Sequence, residues 1–123
     1  MDERELAKLY ASGRVAIGVL LLLFPARVLS DLAGGQRTRA TKTLGRMLGA
    51  RDAVIGAGAL VAMQDEKAPL RPWMTYGAVA DAADAMAILL AYRTLPKWRR
   101  FVILLMAVGG ASTGGYLVTR LDT

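Results

Sequence analysis

The chain has 123 residues, a length typical of one domain, and 54% of them are hydrophobic. It contains neither Cys nor His, which excludes disulfides, thiolate nucleophiles and the commonest metal ligands and general bases. The net charge is +6, but the basic residues flank apolar runs and do not form a polar face interleaved with aromatics, which excludes nucleic acid as the expected partner. We therefore expect no cofactor, and a lipid bilayer as the surroundings.

Four apolar segments follow one another along the chain. We place them at about 6–24, 43–63, 73–92 and 101–119. The last segment is the clearest, because its nineteen residues carry no charge and as a helix would span roughly 30 Å, the thickness of a bilayer core. Its hydrophobic residues also face every direction, whereas a soluble surface helix has a single apolar stripe.

The first segment is interrupted at Pro25. The run "ARVLSDLAGG" that follows predicts a short interfacial helix that stops at Gly34 and Gly35. The predicted fold is therefore all-α: a four-transmembrane-helix bundle with a short interfacial helix after helix 1. Residues 1–123 form a single integral membrane domain.

Lys and Arg are unevenly distributed between the two sides of this bundle. Eight lie in the connections between segments one and two and between segments three and four, against five on the opposite side. The positive-inside rule then places these two connections in the cytoplasm and both termini outside. Because richness in Arg, Ala and Gly is typical of GC-rich bacterial genomes, we predict a multi-pass protein of the bacterial cytoplasmic (inner) membrane.

Charged residues interrupt the first three segments. The candidate buried polar site consists of Arg14, Arg46, Arg51, Asp52, Asp81 and Asp84. A charge at the bilayer centre costs about 2.5–3.5 kcal/mol on insertion scales, so we expect these side chains to face one another. Arg51 and Asp84 are each eight residues from the same membrane surface, and therefore share a depth. Arg14 and Asp81 share a depth counted from the opposite surface. Three positive and three negative charges predict a neutral network.

This network has two interpretations that the sequence leaves open. As a structural device it would determine which helices are neighbours, although desolvation offsets most of the attraction in a buried ion pair. As a site it would hold a ligand, a proton or a lipid headgroup, since ionisable residues inside a membrane are functional candidates by default.

Two G-x-x-x-G pairs predict close helix packing, because small residues at this spacing let two backbones approach. They are Gly45 with Gly49, and Gly110 with Gly114. Both pairs fit packing within the bundle. The second pair also fits a dimerisation face or a groove for a protein partner.

The pattern "LGRMLGARDAVIGAGAL" followed by "VADAADAMAILLAY" resembles a family of small four-helix membrane proteins of GC-rich bacteria, grouped by an uncharacterised domain. Members tend to carry an early R…G…P, as in Arg14, Gly18 and Pro25. They continue with G-x-R-D-x-x-x-G, as in residues 49–56, and D-A-x-D-A, as in residues 81–85. The resemblance implies the four-helix fold and no established activity.

Two functions remain open on the sequence. The first is a small polytopic membrane protein with a charge-paired core that acts through helix packing, as an accessory or structural subunit of a protein partner or as a homo-oligomer. The alternative is a transporter or membrane enzyme that handles a small or lipid-like molecule with the Arg/Asp cluster as its site. The reaction, if there is one, is not indicated.

Overall fold

The computed structural model describes residues 1–33, 37–91, 93 and 97–121, and every regular element within this part of the chain is a helix. The helices are α1 (Glu3–Leu23), α2 (Pro25–Ala33), α3 (Arg39–Ala62), α4 (Arg71–Leu90) and α5 (Lys97–Arg120). The all-α class is confirmed, and so is a short helix directly after α1. The predicted stop at Gly34 and Gly35, and the predicted segment end at Tyr92, lie outside the described residues.

The long helices begin before the apolar segments do, and at α1 and α3 polar residues cap these first turns. Asp2 and Glu5 form a capping box at the start of α1: Glu5 N–H donates to Asp2 Oδ1 over 2.7 Å and Asp2 N–H donates to Glu5 Oε2 over 3.2 Å. Thr38 caps α3 by accepting from Thr41 N–H over 3.1 Å. Hydrophobicity marks the apolar part of each helix, and the caps add the first turns.

α1 and α3 lie antiparallel along a seam of mostly small residues. The buried positions of α1 are Ala7, Ala11, Arg14, Gly18 and Leu21. Those of α3 are Gly45, Gly49, Gly56 and Ala59, with the half-buried Asp52 between them. Both series alternate steps of four and three residues, which gives the 3.5-residue repeat of left-handed coiled coils. Backbones touch in this seam: a Cβ built on Gly49 would lie 2.6 Å from Gly18 O.

α4 and α5 form the second helix pair, again with small residues where they meet. A Cβ built on Gly114 would lie 3.0 Å from Ala78 Cβ. A Cβ built on Gly110 would collide with the carboxylate of Asp81. The two glycines therefore face α4, and α5 lies close against it.

The two helix pairs are packed together at one end of the bundle, which we call the packed end. Its core consists of Ala7, Ala11, Ala59, Leu70, Met74, Leu117 and Leu121. Leu70, Met74 and Leu117 are the largest fully buried side chains of the described residues. At the opposite end, α2 contacts both helix pairs. There Arg99 Nη1 of α5 donates to Ser30 O of α2 over 2.7 Å.

Among the described helices, α1 and α5 are long and apolar enough to cross a membrane. α3 and α4 have comparable lengths, but charges lower the hydropathy of both. The same charges build the candidate site.

Candidate functional site

Five charged side chains from three helices meet midway along the bundle. This charged cluster consists of Arg14 from α1, Arg51 and Asp52 from α3, and Asp81 and Asp84 from α4. It joins the two helix pairs across the space between them. None of the described charged side chains of α5 enters it; α5 contributes Gly110, against Asp81.

Arg14 is the most deeply buried member, with 6% of its surface exposed. Its Nη1 lies 2.7 Å from Asp52 Oδ1, and its Nη2 forms an ion pair with Asp81. Nη2 also donates to the backbone oxygen of Gly77 over 2.7 Å. Arg14 thus connects α1 to both α3 and α4, at the position where the α1 seam has its only long polar side chain.

Arg51 makes a two-pronged contact with Asp84. Nη1 donates to Oδ1 over 2.9 Å and Nη2 donates to Oδ2 over 2.7 Å, the fork geometry that favours Arg over Lys. Arg51 also donates to Asp52 Oδ1 through Nε and Nη2, at 3.3 and 3.2 Å. This pair is less enclosed than the pair at Arg14, with side chains 31% and 35% exposed.

Helix geometry explains why these residues meet. Arg51 and Asp52 are neighbours on α3, so their side chains point about 100° apart and reach α4 and α1 respectively. Asp81 and Asp84 are three residues apart, and therefore share one face of α4. The pairs at matched depth, Arg51 with Asp84 and Arg14 with Asp81, are both present.

Arg46 stands outside the charged cluster, contrary to the prediction. It is exposed and makes no ion pair with any described residue. Five residues before Arg51, it points about 140° away from that side chain around α3. It also follows Gly45, which packs against Pro25 at the start of α2. A long side chain at that height can reach the polar surface on its own.

The cluster consequently is not neutral. Two guanidinium groups face three carboxylates, a formal charge of −1. The sequence-based balance of three against three fails because it assigned Arg46 by its position in an apolar segment, without regard to the helix face.

Tyr10 is a member of the site that the sequence analysis missed. Its hydroxyl donates to Asp81 Oδ2 over 3.0 Å and accepts from Arg14 Nη2 over 3.1 Å. The Arg14 guanidinium lies over its ring, 5.1 Å from the centroid. The signal was available: Tyr10 is four residues before Arg14, and so on the same helix face.

A cavity of about 610 Å³ lies between the two helix pairs and extends from the charged cluster toward α2. Its walls come from all five helices and are mainly aliphatic, including Ile17, Leu21, Leu29, Leu44, Ile88 and Ile103. Leu9 and Met106 line the cavity and are also exposed on the outside of the bundle, so the cavity communicates with the surroundings. All five charged residues of the cluster line it as well.

The chain matches no protein family, no curated protein and no solved structure. The resemblance to the uncharacterised four-helix family therefore remains a prediction, and the function is argued from the geometry of the site.

The cluster leaves some of its polar atoms without partners. Asp52 accepts hydrogen bonds at Oδ1 only, and Asp81 at Oδ2 only. Arg14 Nε, beside Gly77, is the one fully buried polar side-chain atom of the described residues that has no hydrogen-bond partner. Asp52 Oδ2 and Asp81 Oδ1 are therefore unpaired without being fully buried. In the described part of the chain no three Asp or Glu side chains, including the three aspartates of the cluster, are arranged so that they could hold a metal ion.

The four glycines predicted for helix packing all lie at helix contacts inside the bundle. Gly45 meets Pro25 and Gly49 meets Gly18, while Gly110 and Gly114 face α4. The interpretation as internal packing therefore accounts for both G-x-x-x-G pairs.

Proposed function

We propose that the protein spans the membrane four times and binds an amphiphilic small molecule between its two helix pairs. The polar group of the ligand would lie at the charged cluster and its apolar part in the cavity. One observation carries this proposal: an aliphatic cavity, open to the surroundings, ends on five ionisable side chains whose hydrogen-bonding capacity is only partly used.

The outer surface supports the four-span arrangement. Over residues 9–26, 47–63, 72–90 and 101–119 the charged side chains are those of the charged cluster alone, and the most exposed of these, Arg51 and Asp84, are 31% and 35% exposed. At 1.5 Å per residue these stretches are about 26–29 Å long, close to the bilayer core. The exposed apolar side chains include Val19, Leu20, Val54, Val61, Val79, Met86, Leu105 and Val108. They cover all four long helices.

A soluble bundle would hide such residues. Yet only 28% of the most apolar stretch of α1 and 17% of that of α5 are buried inside the protein. Large contiguous apolar surfaces of this kind mark contact with a membrane or a partner. α1 packs along α3 and carries Arg14 into the charged cluster, so it is an integral part of the bundle.

The distribution of basic residues suggests the orientation. Arg46 joins Arg39 and Lys42 at the end of the bundle where α2 lies, together with the start of α5. By the positive-inside rule this end would face the cytoplasm of a bacterial cell, with the packed end outside.

The cavity suits a ligand better than it suits helix packing. Its volume falls within the range of about 300–1,000 Å³ that small-molecule sites occupy, and a few polar groups at one end would orient an amphiphile. Action as a homo-oligomer or accessory subunit stays a prediction. The G-x-x-x-G pairs that suggested it are used inside the bundle.

Membrane insertion is tested by single-cysteine labelling, for which the absence of native Cys is convenient. Lys42→Cys and Lys67→Cys replace exposed residues at opposite ends of the bundle. In intact cells a membrane-impermeant maleimide should label the Lys67→Cys variant, and the Lys42→Cys variant only after the membrane is opened. Release of the protein by alkaline carbonate, or equal labelling of both variants, would contradict the four-span proposal.

Ligand binding is tested with two matched glycine variants. Gly13 lines the cavity and Gly109 does not; a Cβ built on either meets no atom within 4 Å. Because Gly110 and Arg14 both contact Asp81, the two glycines lie at nearly the same height. We therefore expect Gly13→Leu to obstruct the cavity and Gly109→Leu to leave it open.

The probes are radiolabelled dodecylamine, dodecanol and dodecanoate, added to protein in phosphatidylcholine nanodiscs, with empty discs as background. At least one probe should bind saturably to the wild type and to Gly109→Leu, and should be lost in Gly13→Leu. If no probe binds above the empty discs, or if Gly13→Leu binds like the wild type, the cavity is not a ligand site.

A further inference from the structure

The charge of the cluster specifies what kind of head group the cavity accepts. Two arginines and three aspartates leave one negative charge without a counter-charge at the polar end of the cavity. Among the described residues no other charged side chain lines the cavity, and the contribution of α5 at the charged cluster is Gly110. In a low-dielectric environment such an excess favours a ligand with one positive charge.

The unpaired oxygens indicate that this positive group carries N–H donors. Asp52 Oδ2 and Asp81 Oδ1 have no hydrogen-bond partner among the described residues, and neither is fully buried. Each is an acceptor only, so a donor satisfies it and another acceptor does not. A protonated primary amine supplies both the charge and up to three N–H donors.

A quaternary ammonium fits the walls less well. Such groups are held mainly by aromatic faces, whereas Tyr10 is the one aromatic side chain that lines the cavity in the described part of the chain. Its ring is already covered by the guanidinium of Arg14, and its hydroxyl is used by Asp81. The rest of the lining is aliphatic, including Leu21, Ile88 and Ile103, which suits a flexible alkyl chain.

We infer that the cavity binds a protonated primary amine attached to an aliphatic chain, with the ammonium between Asp52 and Asp81 and the chain directed toward α2. This inference rests on the proposed ligand site and specifies its chemistry. The ammonium could belong to a free alkylamine or to the head group of an aminophospholipid, and the test separates these two sources.

The first test compares head groups on the wild-type protein in phosphatidylcholine nanodiscs. Dodecylamine should bind about tenfold or more tightly than dodecanol, because a hydrogen bond to a charged group contributes about 1.5–3 kcal/mol. Dodecanoate should bind most weakly. Equal binding of the amine and the alcohol, or tighter binding of dodecanoate, would overturn the inference while leaving the ligand site itself intact.

The second test removes the excess charge. Asp84→Asn makes the cluster neutral at its least buried carboxylate, and Glu66→Gln removes an exposed acid far from the cavity. The first variant should lose about tenfold or more in dodecylamine affinity while its dodecanol affinity is unchanged, and the control should bind both probes like the wild type. Unchanged amine binding in Asp84→Asn would contradict the inference. Failure of every dodecyl probe would contradict the proposed site as well.

The source of the amine is tested by adding phosphatidylethanolamine to the discs. If this lipid occupies the site, it should suppress dodecylamine binding in proportion to its fraction. If the natural ligand is a free alkylamine, dodecylamine binding should be unaffected by the lipid.

Discussion

The packed end and the end that contains the cavity are built from the same four long helices, yet only one of them is filled. At the packed end the seam residues of α1 and α3 are Ala7, Ala11, Gly56 and Ala59, and Leu70, Met74 and Leu117 fill the space between the helix pairs. Toward α2 the seam consists of Gly18, Leu21, Gly45 and Gly49. Of these residues Leu21 lines the cavity, and no large side chain of the kind found at the packed end fills the space facing α4 and α5.

The comparison teaches that tight pairing and a filled core are separate properties. The backbones of α1 and α3 are equally close at both ends, since a Cβ built on Gly56 would lie 2.6 Å from Ala11 O and one built on Gly49 would lie 2.6 Å from Gly18 O. The ends differ in the large side chains outside this seam, which fill the packed end. The charged cluster lies between the packed end and the cavity. It connects the two helix pairs through ion pairs at the level where apolar packing between them ends.

The largest effect should come from breaking the glycine seam. In Gly49→Leu the new Cβ would lie 2.6 Å from Gly18 O and 2.8 Å from Leu21 Cβ, so the backbones must separate. We expect the free energy of unfolding to fall by several kcal/mol and the variant protein to fail to accumulate. Expression level and size-exclusion chromatography in detergent measure this. Gly109→Leu, at an open position, is the control and should accumulate normally.

Removing the central arginine should have the next largest effect. Arg14→Met leaves the carboxylates of Asp52 and Asp81 buried without their main counter-charge, at a cost of about 3–5 kcal/mol. The measurement is reversible unfolding in mixed micelles of dodecyl maltoside and sodium dodecyl sulfate. A cost below about 1 kcal/mol would show that water reaches the cluster freely.

A pair of truncations compares the two ends directly. Met74→Ala removes a fully buried side chain from the packed end and should cost about 2 kcal/mol of unfolding free energy. On the proposed membrane location this cost is mostly lost van der Waals contact, because lipid is as apolar as the protein interior. Ile103→Ala removes a side chain that lines the cavity and should cost less than half as much. Equal costs in the same micelle assay would mean that the cavity collapses around its lining.

The smallest effect should come from Arg46→Gln, which changes an exposed residue without an ion pair. We expect a change within about 0.5 kcal/mol in the same assay, in contrast to Arg14→Met. A cost comparable with that of Arg14→Met would place Arg46 in the charged cluster after all.

Much of the bundle and of its site follows from local sequence patterns. Helix lengths and the helix after Pro25 follow from apolar runs and breakers, and the pairing of Arg51 with Asp84 follows from equal depth. Depth alone does not determine the direction in which a side chain points, and for this reason Arg46 was misplaced. The 3.5-residue seam would have excluded it, since Gly45, Gly49 and Asp52 occupy the buried face of α3.

The cavity was beyond sequence reasoning. The cavity exists because several helices together place too little side-chain volume at one level of the bundle. The sequence of one segment alone does not show this. Tyr10 was missed for a different reason: only charged residues were considered for the site, although the spacing of Tyr10 to Arg14 indicated a hydrogen-bond partner.

One oxygen atom has a consequence for how the site responds to change. Asp52 Oδ1 accepts from both Arg14 and Arg51, so the guanidiniums of two helices compete for the same lone pairs. Substitutions at Asp81 and Asp84 should therefore be non-additive, each releasing an arginine that tightens on Asp52 at the expense of the other. A change at Asp81 or Asp84 therefore alters the hydrogen bonds of the other carboxylate through Asp52 of α3, without any movement of the helices themselves.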